Sequence, residues 1–248
     1  MRFFLLIPAL LLLAPSQSRQ ADAPPASASE TLHYSVEWRL VPAGTVRLER
    51  KYSGGEYQAR LQVQSTGLVS MLYRVDDLYL AQFKENLCVV SSFLTAREGT
   101  RQRETRVTYD SGRRKANYVE RDVTKNANLA THEIDIPACT HDILGGLYSL
   151  RAMRLALGRS AEISMSDGKK SVTARLEAQQ QETVTTPAGR FRTIRYEVFL
   201  FDNVLYHRSG TLHVWLTDDD RRLPVQIRVR LGFPIGAITL QLQKVETK

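Results

Sequence analysis

The chain has 248 residues, of which 43% are hydrophobic and 24% charged, and its formal net charge is +8. A chain of this length buries roughly 70% of the surface that its unfolded form exposes, so it can build a core without many cross-links. The length fits one large β domain or two small ones, and the positive charge favours anionic partners.

The first 23 residues have the three regions of a secretory signal peptide. A positive start precedes the apolar run Phe3–Ala14, and the small, polar stretch that follows ends in Ala21-Asp22-Ala23, which fits a cleavage site. The apolar run is too short to span a bilayer, so no transmembrane anchor is expected after cleavage. No cysteine precedes Cys88, which excludes a lipid-modified cysteine at the cleavage site. We expect a periplasmic protein, with secretion as the second choice.

Residues 24–30 are predicted to form a flexible leader, and residues 31–247 a single β-rich domain or two β halves joined by a helix. Apolar and polar residues alternate along many segments of this domain, which is typical of half-buried strands. The segments with the clearest alternation are Leu32–Leu40, Val46–Leu48, Tyr57–Val63, Thr105–Tyr109, Val172–Leu176, Ile194–Val198, Leu212–Leu216, Val225–Leu231 and Ile238–Leu242. Turns are expected at Pro42–Gly44, Ser53–Glu56 and Asp110–Gly112.

One segment has helical spacing instead. Apolar residues recur every three or four positions within 141–157, Asp142 or Thr140 suits the helix start, and Gly158 suits its end. The pair Gly145-Gly146 weakens this helix but lets another backbone approach closely. We therefore predict an all-β, mainly antiparallel fold in which a curved sheet or half-open β-barrel packs around one helix. The apolar stretch Leu68–Tyr73 is interpreted as core.

The two cysteines, Cys88 and Cys139, are expected to form a disulfide outside the cytoplasm. The alternative is two buried, unreacted thiols. His141 and Asp142 beside Cys139 suggest a nucleophile with a base, but a bridged cysteine has no thiolate, and Asp142 is better explained as a helix cap. The five histidines are scattered along the sequence. We therefore expect no catalytic residues, no metal, no cofactor and no enzymatic activity.

Five blocks of the sequence together carry a family resemblance: Leu32–Trp38 with Pro42–Gly44, Cys139–Arg151, Thr186–Phe191, His213–Val225 and Gly236–Leu240. The chain resembles a family of exported bacterial proteins catalogued as domain of unknown function 3108, over residues 30–246. It departs from the expected pattern at Gly145-Gly146. The resemblance implies a compartment and a fold, not a chemistry. A looser likeness to periplasmic lipoprotein carriers implies a half-open barrel that holds acyl chains around a helix.

Two functional hypotheses follow. The first is an exported binding or carrier protein for an apolar or anionic amphiphilic ligand. Its apolar cleft would be lined by Trp38, Leu144, Leu147 and Tyr148, while Arg151 meets the anionic head group. The alternative for Arg151 is an ion pair with a carboxylate.

The second hypothesis is an interaction or scaffolding domain of the cell envelope with a filled core. Its basic binding face would include Gln226, Arg228 and Arg230. In both hypotheses the expected partner is a lipid or another anionic envelope component, and nucleic acid is not expected because the protein acts outside the cytoplasm.

Overall fold

The computed structural model describes residues 28–248, so the predicted signal peptide and residues 24–27 of the leader lie outside it. The described residues form fourteen strands and two helices. The strands are β1 (Ala28–Trp38), β2 (Val41–Ser53), β3 (Glu56–Ser65), β4 (Asp76–Lys84), β5 (Val89–Glu98), β6 (Arg101–Asp110), β7 (Lys115–Asp122), β8 (Ala127–Asp135), β9 (Ser160–Ser166), β10 (Ser171–Thr186), β11 (Gly189–Val198), β12 (Gly210–Thr217), β13 (Pro224–Leu231) and β14 (Gly236–Thr247). The helices are α1 (Gly67–Leu72) and α2 (Ile143–Ala152).

All of these strands belong to one antiparallel sheet, in the order β8 to β1 followed by β14 down to β9. Two meanders, β1–β8 and β9–β14, are thus joined by the pairing of β1 with β14. The sheet is open, with β8 and β9 at its edges. The sheet is also curved. This is shown by the hydrogen bond that the Tyr109 hydroxyl on β6 donates to the Ser166 carbonyl on β9, a strand far from β6 in the strand order. The structure confirms the predicted antiparallel, curved architecture around a helix.

Helix α2 lies between the two meanders in sequence and inside the curved sheet. Its residues 144–146 and 148–151 are buried. The helix is shorter than the predicted 141–157, since Met153 is already extended (φ −77°, ψ 141°). Gly158 does not close it: this glycine has a positive φ of 73° and donates to the carbonyl of Ala178.

The glycine pair of α2 has the close contacts expected of it. A Cβ on Gly146 would lie 2.8 Å from the Met165 methyl carbon on β9, and one on Gly145 would lie 3.2 Å from the Leu87 carbonyl oxygen. Side chains at these positions would push the helix away from the sheet. The glycines therefore compensate their low helix propensity by tight packing.

The first hairpin turns earlier than predicted. Arg39 and Leu40 form its two-residue turn with φ of 51° and 68°, a conformation that favours Asn or Gly. Pro42–Gly44, predicted as the turn, belongs to β2 and holds a β-bulge. Gly44 is required because a Cβ there would lie 2.3 Å from the Gln64 carbonyl oxygen.

Three further predictions need correction. Strand β1 begins at Ala28, so residues 28–30 are strand rather than leader. Strands β4, β5, β7, β8 and β9 were not recognised in the sequence. The stretch Leu68–Tyr73 is not core, because α1 has no buried residue and Leu68 is 71% exposed.

Candidate functional site

An apolar cavity of about 350 Å³ lies between α2 and the inner face of the sheet. This volume is within the range of about 300–1,000 Å³ typical of ligand sites. Aliphatic side chains dominate its lining, and Tyr34 and Tyr206 contribute its hydroxyl groups. The Tyr34 hydroxyl already donates to the Pro224 carbonyl at 2.8 Å. The lining of this cavity can therefore make mainly apolar contacts with a ligand.

A second compartment of about 390 Å³ continues from the first, since Leu61, Ile143 and Tyr206 line both. Its lining is more polar and includes the side chains of Asp77, Tyr79, Ser92, Thr105, Tyr118, Asp167 and Lys169. An amphiphile could place its apolar chain in the first compartment and its polar part in the second.

The Lys169 side chain is the cation that lines the second compartment. Its Nζ lies 3.2 Å from a Glu120 carboxylate oxygen and 4.5 Å from the centre of the Tyr118 ring. Burial alone would lower the pKa of Lys169, but hydrogen bonds to Tyr118 and Glu120 raise it above its usual value. Glu120 also accepts a 2.8 Å hydrogen bond from Arg103. Lys169 therefore stays charged at neutral pH in a network that fixes its position.

Both compartments lie toward one end of the sheet. Leu212 is two residues after the start of β12, and Val229 is two residues before the end of the neighbouring β13; both line the apolar compartment. Ile143 and Tyr206, which border both compartments, are each 37% exposed. The cavity thus reaches solvent beside these two side chains.

The predicted site residues separate into three groups. Leu144 and Leu147 on α2 line the apolar compartment. Tyr148 is buried in the core, edge-on to Phe83, and is not part of the lining. Trp38 lies at the end of β1 next to the first hairpin turn, where its indole nitrogen donates to the Ile235 carbonyl at 2.6 Å. The structure brings only the two leucines of the predicted set together at the cavity.

Arg151 forms an ion pair instead of facing a ligand. Its two terminal nitrogens lie 2.6 and 2.9 Å from the two carboxylate oxygens of Glu30, and both side chains are nearly buried. Its Nε also donates to the Arg222 carbonyl at 3.0 Å. The Arg151 charge is therefore balanced by Glu30 within the protein. The predicted contact of Arg151 with an anionic head group is wrong, and the alternative, an ion pair with a carboxylate, is what the structure has.

Asp142 holds the start of α2. One carboxylate oxygen accepts a 2.7 Å hydrogen bond from the Gly145 N–H, and the other accepts a 2.8 Å bond from the Tyr79 hydroxyl. The Cys88–Cys139 disulfide, which is present in the structure, ties the preceding segment to the β4–β5 turn. The cavity-lining end of α2 is thus anchored by a cap and a covalent bridge.

Burial raises the pKa of Asp142 from its ordinary 3.8 to about 6, although its hydrogen bonds oppose the rise. A raised carboxyl pKa stabilises the fold below the unfolded value and loses this contribution as pH rises through the folded value. Asp142→Asn keeps an oxygen that can accept the cap hydrogen bond but does not ionise. We expect its unfolding free energy, relative to that of wild type, to rise by about 3 kcal/mol as the pH rises from 4 to 7. Urea unfolding at several pH values measures this gain, and parallel pH curves for the two proteins would contradict it.

The pair His141–Asp142 has structural contacts. The His141 ring Nδ1 lies 3.0 Å from the Ser164 carbonyl oxygen, and burial lowers its pKa. Within residues 28–248, no group of three or more His, Cys, Asp and Glu side chains is placed to hold a metal ion. Across the same range, we find no helix with the length and hydrophobicity needed to cross a membrane.

The basic face of the scaffolding hypothesis is largely engaged. Gln226 is buried, and Arg228 lies over the Trp215 ring and donates to the Thr239 hydroxyl at 3.2 Å. Arg230 is the exposed member of the three. This hypothesis also requires a filled core, whereas the structure has an apolar cavity beside α2.

Several residues of the site escaped sequence reasoning. Glu30 was assigned to the leader, and Lys169 and Tyr206 lie in turns without regular alternation. The sheet residues that line the cavity, such as Leu212, Val229 and Leu240, were recognised as one face of their strands. Alternation alone does not show whether the inner face of a strand packs against other core side chains or lines a cavity.

Together, the fold and the site define an open antiparallel sheet protein that encloses a helix and a largely apolar cavity. The chain belongs to the DUF3108 family: the family model, described as a protein of unknown function, matches residues 33–243. No curated protein matches the chain.

Among solved structures, the chain is similar to the crystal structure of a beta-barrel-like protein of domain of unknown function DUF1849 from Brucella abortus. The TM-score is 0.54 with 9% sequence identity, and the match covers 89% of this chain and 98% of the other. This likeness shows the fold alone.

Proposed function

We propose that the protein is an exported, non-catalytic binding or carrier protein for an amphiphile, whose acyl chain occupies the apolar compartment beside α2. The observation that carries this proposal is the cavity itself, because protein cores are close-packed and an apolar void this large next to a helix is unusual without a ligand. Export is inferred from the signal sequence.

The polar compartment supports an amphiphile over a purely apolar ligand. The side chains of Lys169, Tyr79 and Tyr118 line it, next to the apolar wall. The Lys169 ammonium has three N–H donors, and Glu120 accepts from it at 3.2 Å, so a further donor can meet a carboxylate or phosphate head group in a charge-assisted hydrogen bond. Asp77 and Asp167 also line this compartment, which favours a head group that donates hydrogen bonds as well.

A larger side chain that fills the cavity should weaken binding. Leu61 lines both compartments and is half-buried, so we expect Leu61→Trp to weaken dodecanoate binding by roughly tenfold or more. Titration calorimetry measures the affinity, and wild type should show a negative heat-capacity change from apolar burial.

The neighbouring Gln62 alternates to the outer face of the same strand and provides the matched control, Gln62→Trp. This variant should bind dodecanoate as wild type does. Equal affinity in wild type and Leu61→Trp, or no binding by wild type, would refute a cavity that holds acyl chains.

A further inference from the structure

Exposed apolar side chains cluster at the end of the sheet that the cavity reaches. Leu40 is 87% exposed in the β1–β2 turn, Met71 and Leu72 are each 82% exposed on α1, and Phe233 is 95% exposed in the β13–β14 turn. Single exposed apolar residues are common, whereas a contiguous set marks a contact surface. We call Leu40–Val41, Leu68–Tyr73 and Phe233 the apolar rim.

Backbone hydrogen bonds make the three segments of the apolar rim neighbours. The N–H of Arg39 donates to the Ala237 carbonyl, which joins the β1–β2 turn to the β13–β14 turn. The N–H of Thr66 donates to the Ala43 carbonyl, which places the start of α1 against β2. The rim is therefore one surface held by the sheet.

Basic residues flank this surface. Arg39 and Arg74 are exposed directly beside Leu40 and Tyr73. The Arg39 guanidinium lies 5.5 Å from the Trp38 ring, an arrangement of indole and cation suited to a membrane interface. The acidic side chain nearest in sequence to Arg74, Asp76, is partly neutralised by Arg97 at 3.7 Å.

We propose that the apolar rim docks the protein on an anionic lipid bilayer. Apolar side chains bordered by cations are the combination that binds such surfaces, since burial of apolar area and attraction to anionic head groups add. Docking by this end places the cavity mouth toward the acyl chains of the bilayer. The inference goes beyond the proposed function, because docking does not depend on what the cavity holds.

Flotation with vesicles of phosphatidylglycerol, and separately of phosphatidylcholine, tests the proposal on the processed protein. We expect wild type to float with phosphatidylglycerol vesicles and more weakly with phosphatidylcholine. The variants Leu40→Ser/Phe233→Ser and Met71→Ser/Leu72→Ser should each lower the partition coefficient roughly tenfold or more. Arg39→Gln/Arg74→Gln should weaken binding to phosphatidylglycerol only.

Leu157→Ser is the matched control, because Leu157 is 50% exposed but precedes the edge strand β9, which β10 to β12 separate from the strands β13, β14, β1 and β2 that carry Leu40 and Phe233. It should float as wild type does. Equal flotation of rim and control variants, or no flotation of wild type, would overturn the proposal. So would a concentration-dependent dimer that the rim substitutions dissociate, which would assign the surface to a second copy. Flotation measures docking on vesicles and does not measure acyl-chain binding in the cavity. The docking proposal and the proposed carrier function can therefore be refuted independently.

Discussion

Removing the Cys88–Cys139 disulfide should lower the free energy of unfolding by roughly 4 kcal/mol. The bridge joins residues 51 positions apart, so its loss releases a long loop in the unfolded chain. It also frees the segment that enters α2, where the Val89 N–H donates to the Thr140 carbonyl. Urea unfolding of Cys88→Ser/Cys139→Ser measures the loss.

Wild type under reducing conditions provides the comparison for this variant. Its unfolding midpoint should fall to that of the serine variant, since both lack the same covalent bridge. Because Leu144 and Leu147 at the anchored end of α2 line the cavity, dodecanoate affinity should fall as well. A reduced protein as stable as the oxidised one would show that the bridge contributes nothing.

Breaking the Glu30–Arg151 ion pair should have an effect of similar size. Glu30→Gln leaves the Arg151 guanidinium buried without a counter-charge, which typically costs about 3–5 kcal/mol. Arg151 also spans the two meanders, because its terminal and inner nitrogens donate to the carbonyls of Arg221 and Arg222. Thermal unfolding should show the variant melting roughly 10 °C below wild type.

The double variant Glu30→Gln/Arg151→Met is the control that separates the pair from general damage. Removing both charges should recover part of the stability, since no isolated charge then remains. Burial alone would raise the pKa of Glu30, but Arg151 holds it below its ordinary value. The stability from the pair is therefore present near neutral pH and lost as pH falls through the folded pKa. Additive losses in the double variant would argue against a coupled pair.

Sequence periodicity predicted the antiparallel sheet and the inner helix because each depends on local pattern. Ile238, Leu240 and Leu242 alternate with the polar residues Thr239, Gln241 and Gln243, as a half-buried strand requires. Asp142 marks the start of α2. The disulfide, which the structure contains, was expected from the predicted export of the chain. Strands β4, β5, β7, β8 and β9 were missed. In β4 the apolar residues Leu78–Ala81 follow one another without alternation, the buried face of β7 carries the charged Glu120, and the described side chains of β8 are mostly exposed.

The site was less predictable than the fold. Arg151 looked like a head-group ligand because its partner, Glu30, lies 121 residues away in a stretch that resembled a leader. Trp38 and Tyr148 were chosen for their chemistry, but the direction of a side chain depends on hairpin geometry and curvature. A cavity arises from how far the sheet curls around α2, which is a tertiary property with no local signal.

The most direct test of the central proposal is native mass spectrometry of the processed protein, purified from an envelope fraction without detergent. We expect one adduct per polypeptide with the mass of an amphiphile, present in wild type and Gln62→Trp and absent in Leu61→Trp. Repeated preparations of wild type that show only the bare polypeptide mass would contradict it.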